Sequence, residues 1–178
     1  MIKADYYLDS TASSPLGTSF GPSPYTFNWN SSSTAFGTHT IYAIATDNAS
    51  NPSAAASVSI TVLDVTPPTV SITSPTANAN VIGTSVALQV NAADNAGGSG
   101  VKKVDYYLDS TAGSPIGTSN GPSPYTFNWN SSTTTPGAHT IYAIATDNGS
   151  NPSSPASVNI NVSVLSPQVA LVSPANGA

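Results

Sequence analysis

Apolar and polar residues alternate in short runs along most of the chain, and each run predicts a half-buried β-strand, because successive side chains of a strand point to opposite faces. Between residues 67 and 165 the spacing by two predicts seven strands. Val70 and Ile72 mark the first, Val86, Leu88, Val90 and Ala92 the second, and Val104, Tyr106 and Leu108 the third. A short fourth strand surrounds Ile116. Tyr125, Phe127 and Trp129 share one face of the fifth, Ile141, Ala143 and Ala145 of the sixth, and Val158, Ile160 and Val162 of the seventh. No stretch sustains a helical period, so the chain reads as all-β. The strict alternation of Tyr125, Phe127 and Trp129 among apolar neighbours places them in a core rather than on a sugar-stacking platform.

The same pattern is written twice at an offset of 100 residues. Positions 5 to 62 and 105 to 162 are identical at 46 of 58 places, which marks a duplication. Tandem units each carry their own core and touch mainly their neighbours, an organisation suited to extending a molecule or multiplying weak contacts. Residues 1–66 match only the portion of the second copy from residue 101 onward, so the first copy is expected to be partial and to lack its first two strands. Residues 67–165 form the complete unit. Leu165-Ser-Pro-Gln-Val-Ala-Leu-Val-Ser-Pro174 repeats the opening of that unit, so 166–178 is expected to begin a third copy.

Charge and composition narrow the function. Three Lys and Arg against eight Asp and Glu give a formal charge of −5, too few cations to neutralise nucleic-acid phosphates or hold an anionic membrane surface. No apolar run approaches the roughly 20 residues of a membrane helix, so this segment is expected neither to bind nucleic acid nor to insert into a membrane. With no cysteine, stability rests on sandwich cores and, where carboxylates gather, on oxygen-ligated ions. His39 and His139 hold equivalent places in the two copies and belong to no hydrolase signature; each is expected to hydrogen-bond a turn. Asp105 and Asp109 share one face of the third strand beside Lys103 but flank no cleft, so they are read as outward charges that solvate the sheet. The sequons at Asn30, Asn48, Asn130, Asn148 and Asn161 arise readily by chance in an Asn- and Ser-rich chain. No catalytic constellation emerges, and a non-enzyme is expected.

Four stretches carry a resemblance to a known family. Thr66-Pro-Pro-Thr-Val-Ser-Ile-Thr-Ser-Pro75, Gly100-Val-Lys-Lys-Val-Asp-Tyr-Tyr-Leu-Asp109, Ser123-Pro-Tyr-Thr-Phe-Asn-Trp129 and Gly137-Ala-His-Thr-Ile-Tyr-Ala-Ile-Ala-Thr-Asp147 resemble the bacterial Ig-like domains repeated in secreted and surface proteins, among them adhesins and multidomain glycan-degrading enzymes. About 100 residues in seven short strands is also the pattern of an immunoglobulin-like sandwich. The resemblance implies tandem Ig-like β-sandwiches, an extracellular or cell-surface location, and neighbouring Ig-like repeats as partners. It is compatible with two functions: a structural or adhesive spacer, or an accessory glycan-binding module attached to a secreted enzyme.

Ig topology also suggests two candidate sites. The loops after the second and sixth strands lie at the pole where the chain enters, so the linker residue Asp64 is expected near Asp94 and Asp147. Three carboxylates repel one another unless a hard cation takes them as ligands, and Ca²⁺ accepts six to eight oxygens; junctional calcium in similar repeat adhesins adds to that expectation. The competing reading makes all three ordinary turn residues. The second candidate is the outer face of one sheet, where Tyr107, Tyr142 and Ile144 are expected to lie together. An aromatic patch repeated along an array suits weak binding to a surface glycan or a protein, while the same residues also serve as ordinary cross-strand pairs.

Overall fold

The computed structural model describes residues 2–164, so the expected start of a third copy at 166–178 lies outside the described residues. The chain forms two compact units. One comprises Met1–Thr66 with Asn95–Ser99; the other comprises Pro67–Asp94 and the residues from Gly100 onward. Among the described residues the protein is all-β apart from one 3₁₀ turn, Ser131–Thr133, and no helix is long and apolar enough to cross a membrane.

Unit 1 contains β1 (Lys3–Leu8), β2 (Gly17–Phe20), β3 (Gly37–Thr46) and β4 (Ala56–Val62), in one antiparallel sheet of order β2-β1-β3-β4. Ile41 sits opposite Leu8 on one side and Val58 on the other.

Unit 2 is an Ig-like sandwich. Its strands are β5 (Thr69–Ser74), β6 (Ala79–Val81), β7 (Val86–Ala93), β8 (Val101–Leu108), β9 (Gly117–Ser119), β10 (Tyr125–Trp129), β11 (Gly137–Asp147) and β12 (Ala156–Val162). One sheet has the order β10-β7-β5, and the other β6-β12-β11-β8-β9. The inner faces meet in a core that includes Leu88 and Val90 from the first sheet and Val104, Tyr106, Ile141 and Ala143 from the second, all 0 % exposed. The positions expected inside from their alternation are buried or packed against this core.

Two details depart from the sequence reading. The structure adds an eighth strand, β6, which pairs parallel with the last strand through Ala79, Asn80 and Val81. Three residues are too few to show a period, and the pairing is supplied by β12 across the sheet. The fourth strand begins just after Ile116, whose N–H donates to the Tyr106 carbonyl at 2.7 Å.

Tyr106 ties the two sheets of unit 2 together. Its hydroxyl donates to the carbonyl of Tyr125 at 2.8 Å, and burial pushes its pKa up to about 12, so it remains a neutral donor. Its ring stacks with Phe127 at 5.7 Å between centroids. The Phe127 ring in turn lies over Gly117, where a Cβ would meet it at 2.2 Å, so no larger residue fits there without displacing the ring.

Candidate metal centre and outer-face tyrosines

Asp94 and Asp147 both belong to unit 2, one directly after β7 and the other at the end of β11. Asp147 sits where the β8–β11 register shifts, a bulge that re-aims the side chain at the strand end. It is 0 % exposed. Its carboxylate closes the following turn: Oδ1 accepts the Asn151 backbone N–H at 2.7 Å, and Oδ2 accepts the Asn151 side-chain amide at 2.9 Å. Asp94 Oδ2 accepts the N–H of Gly100 at 2.7 Å.

The fold thus brings together two acidic residues 53 positions apart in sequence, with a carboxylate oxygen of each within 4.8 Å of the other. Two oxygens at that separation can share one ion that binds each at about 2.3–2.6 Å. The donor set is wholly oxygen, as a hard divalent cation requires. The third residue, Asp64, follows β4 in unit 1, where its Oδ1 accepts the Thr66 N–H at 3.0 Å and its Oδ2 the Ser99 N–H at 2.8 Å.

The outer face of the larger sheet assembles the second candidate. Tyr107 and Tyr142 are direct cross-strand partners of β8 and β11, and Ile144, two residues along the same face, sits opposite Asp105. All three candidate side chains are half-buried. Tyr7, Tyr42 and Ile44 have the same arrangement in unit 1, with Tyr7 opposite Tyr42 and Asp5 opposite Ile44.

The two aspartates read as outward solvating charges behave differently from each other. Asp105 does face outward, but it is only 7 % exposed: Lys103 Nζ lies 2.7 Å from its Oδ2, and the Thr118 hydroxyl donates to its Oδ1 at 2.6 Å. Alternation gives the face a residue points to, and it cannot give what lies over that face. Asp109 lies one residue beyond the strand, in the left-handed region at φ 60°, which a short polar side chain tolerates.

Asp109 has a specific partner in His139, a pairing that sequence spacing could not reveal. Asp109 Oδ1 accepts the Thr140 N–H at 2.9 Å, its Oδ2 lies 2.8 Å from His139 Nδ1, and His139 Nε2 lies 2.8 Å from the Thr135 carbonyl oxygen. Both ring nitrogens therefore face acceptors, and only the imidazolium can donate from both. The Asp109 carboxylate, reinforced by the Thr135 carbonyl, raises the His139 pKa above 6.5. Burial pushes the Asp109 carboxyl upward, but the Thr140 amide and His139 outweigh it, and the net shift is downward. Asp9, His39 and Ala35 repeat this clamp in unit 1. The expected turn-binding role of the two histidines is thus what the side chains perform.

Residues 68–143, from the start of unit 2 into β11, match the family model described as Bacterial Ig domain. Among solved structures, the chain is similar to the fibronectin(III)-like modules of Clostridium thermocellum CbhA, at 25 % identity and a TM-score of 0.48, covering 91 % of this chain and 78 % of that one. It is also similar to the BSP domain of a biofilm associated protein, at 18 % identity and a TM-score of 0.32, covering 93 % of this chain and 26 % of the other. No curated protein matches. The matched stretch covers β5 to β10 and the first part of β11 of this two-sheet sandwich, so residues 68–143 are similar to the bacterial Ig domain family.

Proposed function

We propose that this chain is a non-enzymatic structural repeat of a bacterial extracellular or cell-surface protein, a spacer whose units position other domains. The observation that carries the reading is the 46-of-58 identity between the two copies, seen together with a unit 2 whose core is complete in itself. Such a unit can be multiplied along a chain without redesign. A polypeptide carrying several copies of residues 67–165 should lengthen by a constant increment per copy in small-angle scattering. Compaction with added copies would refute the spacer role.

The finer part of the proposal is that Asp64, Asp94 and Asp147 take a Ca²⁺ at the joint. It is supported by the Asp94–Asp147 approach within 4.8 Å and by the complete burial of Asp147. Bound there, the ion would supply the positive charge that offsets carboxylate repulsion and would restrict motion of the linker. An ion that binds only the folded form stabilises it by about 2.7 kcal/mol at a hundredfold excess over Kd. Calorimetric titration should show one site per chain that is lost in Asp64→Ala and Asp94→Ala. Absence of heat and of any thermal shift with calcium would leave the three aspartates as turn residues.

A second reading, an accessory glycan-binding module of a secreted enzyme, is favoured by the half-exposed Tyr107–Tyr142 pair with Ile144 alongside. Tyr107→Ser/Tyr142→Ser should then abolish binding on a glycan array. No binding by the parent chain removes this reading.

A further inference from the structure

The two sheets of unit 2 show solvent two different outer faces. The larger sheet carries Lys103 and Asp105 outward beside Tyr107. The smaller sheet, β10-β7-β5, carries no charge outward. Alternation about the buried Leu88 and Val90 turns Ala87, Gln89, Asn91 and Ala93 out on its central strand. The exposed positions of the flanking strands are Thr69, Ser71 and Thr73 on β5, with Thr126 and Asn128 on β10. The charged side chains of unit 2 stand elsewhere. Lys102, Lys103 and Asp105 belong to β8, Asp109 lies one residue beyond it, Asp147 ends β11, and Asp94 follows β7 in step with the inward-facing Ala92. Solvated sheet faces ordinarily carry charge that keeps copies apart, whereas the centre of an interface is depleted of it.

The hydroxyls of the uncharged face are already engaged. Thr69 Oγ1 donates to the Ala93 carbonyl at 3.0 Å, Thr73 Oγ1 to the Gln89 carbonyl at 3.2 Å, and Thr126 Oγ1 to the Pro124 carbonyl at 3.4 Å. Held against the backbone in this way, they leave no donor stranded when the face is covered. Gln89 and Asn91 place amides at the middle of the face, with Gln89 directly opposite Thr126 of β10 and Asn91 opposite Ser71 of β5. An amide both donates and accepts, so one copy of such a pair satisfies another.

We propose that the outer face of the β10-β7-β5 sheet is a self-association surface, and that its occupant is the same face of a second copy of this chain. Charge selects the occupant. The chain carries a formal charge of −5, so two copies repel where their charged surfaces approach, and they meet without that penalty on a face that has none. The face offers no ion pair to a charged partner and no aromatic ring to a sugar, because Tyr125, Phe127 and Trp129 all point into the core. Across a two-fold axis the amides of Gln89 and Asn91 meet those of the other copy. The Ser, Thr and Ala positions around them are small enough for the two sheets to pack about 10 Å apart. Lateral association of this kind adds to the spacer role and needs neither calcium nor the tyrosine patch.

Sedimentation of the full chain over a rising concentration series should show a reversible monomer–dimer equilibrium that tightens as salt screens the net charge. Gln89→Glu/Asn91→Glu and Gln89→Lys/Asn91→Lys should each weaken it by at least about tenfold, because like charges then face one another in a desolvated contact. An equimolar mixture of the two variants should restore association as a heterodimer, which salt should now weaken. Thermal midpoints of the variants separate loss of association from loss of fold, and Thr126→Glu on the neighbouring strand replaces either variant that melts early. Asn159→Glu, on the outer face of the larger sheet, should leave the equilibrium unchanged. A parent chain that stays monomeric at every concentration overturns the proposal. So do folded charge variants that associate like the parent, a mixture that stays monomeric, or an equal loss in Asn159→Glu, which would move the contact to the other sheet.

Discussion

Ile141→Ala and Ile41→Ala form a controlled pair, because the two isoleucines hold equivalent places with the same in-sheet neighbours. Ile141 lies opposite Leu108 and Val158, and Ile41 opposite Leu8 and Val58. The difference between the two losses therefore isolates the contribution of the opposing sheet. Ile141 is 0 % exposed inside a core that includes Leu88 and Val90, so its truncation removes the full transfer free energy and leaves a cavity walled by both sheets. That loss is about 3–4 kcal/mol. Ile41 is half-buried in a unit with one sheet, where solvent fills the space left behind, and its loss is about 1–2 kcal/mol. For a domain of this size, the first change should lower the unit 2 midpoint by roughly 15–25 °C. Each unit holds one tryptophan, so the two indole N–H resonances follow the two units separately through urea or thermal unfolding. Losses equal to within about 0.5 kcal/mol, the usual scatter of surface substitutions, would refute the idea that the opposing sheet supplies the difference.

Three further outcomes are expected. Gly117→Ala places a Cβ 2.2 Å from the Phe127 ring and should destabilise unit 2 by about 1–3 kcal/mol through overpacking; Gly117→Ala with Phe127→Leu should recover part of that loss, and a neutral single variant would contradict the packing. The His139–Asp109 clamp should make unit 2 stability depend on pH in two windows. The raised His139 pKa gives a contribution that is full below 6.5 and is lost as pH rises through the higher folded-state value, while the lowered Asp109 pKa gives one that is present above 3.8 and is lost as pH falls through the lower folded-state value. Urea midpoints measured from pH 3 to 9 should show both slopes, and His139→Gln should flatten the upper one; an unchanged upper slope would assign it to another group. Thr118→Val removes the hydroxyl that donates to the nearly buried Asp105 and should cost about 1–2 kcal/mol, read as a lower urea midpoint, whereas no change would mean that Lys103 and solvent satisfy that oxygen alone.

Alternation by two determined where the major strands of unit 2 run and which side chains enter its core, because the period of a strand belongs to the backbone and is written residue by residue. The four stretches 66–75, 100–109, 123–129 and 137–147 were sufficient to point to the bacterial Ig domain model that matches residues 68–143. What the sequence could not express is anything that depends on a partner from elsewhere in the chain. The short strand β6 exists through its pairing with β12, and Asp105 is covered because Lys103 and Thr118 close over it. The approach of Asp94 to Asp147 arises from the ends of two strands in opposite sheets, which the Ig topology anticipated and only the folded unit could bring within 4.8 Å. The clearest case is Tyr-Thr-Phe-Asn-Trp: the same five residues form a strand at 125–129 and none at 25–29, because strand structure is a property of a hydrogen-bonded pair, and tertiary structure supplies the second member to only one of them.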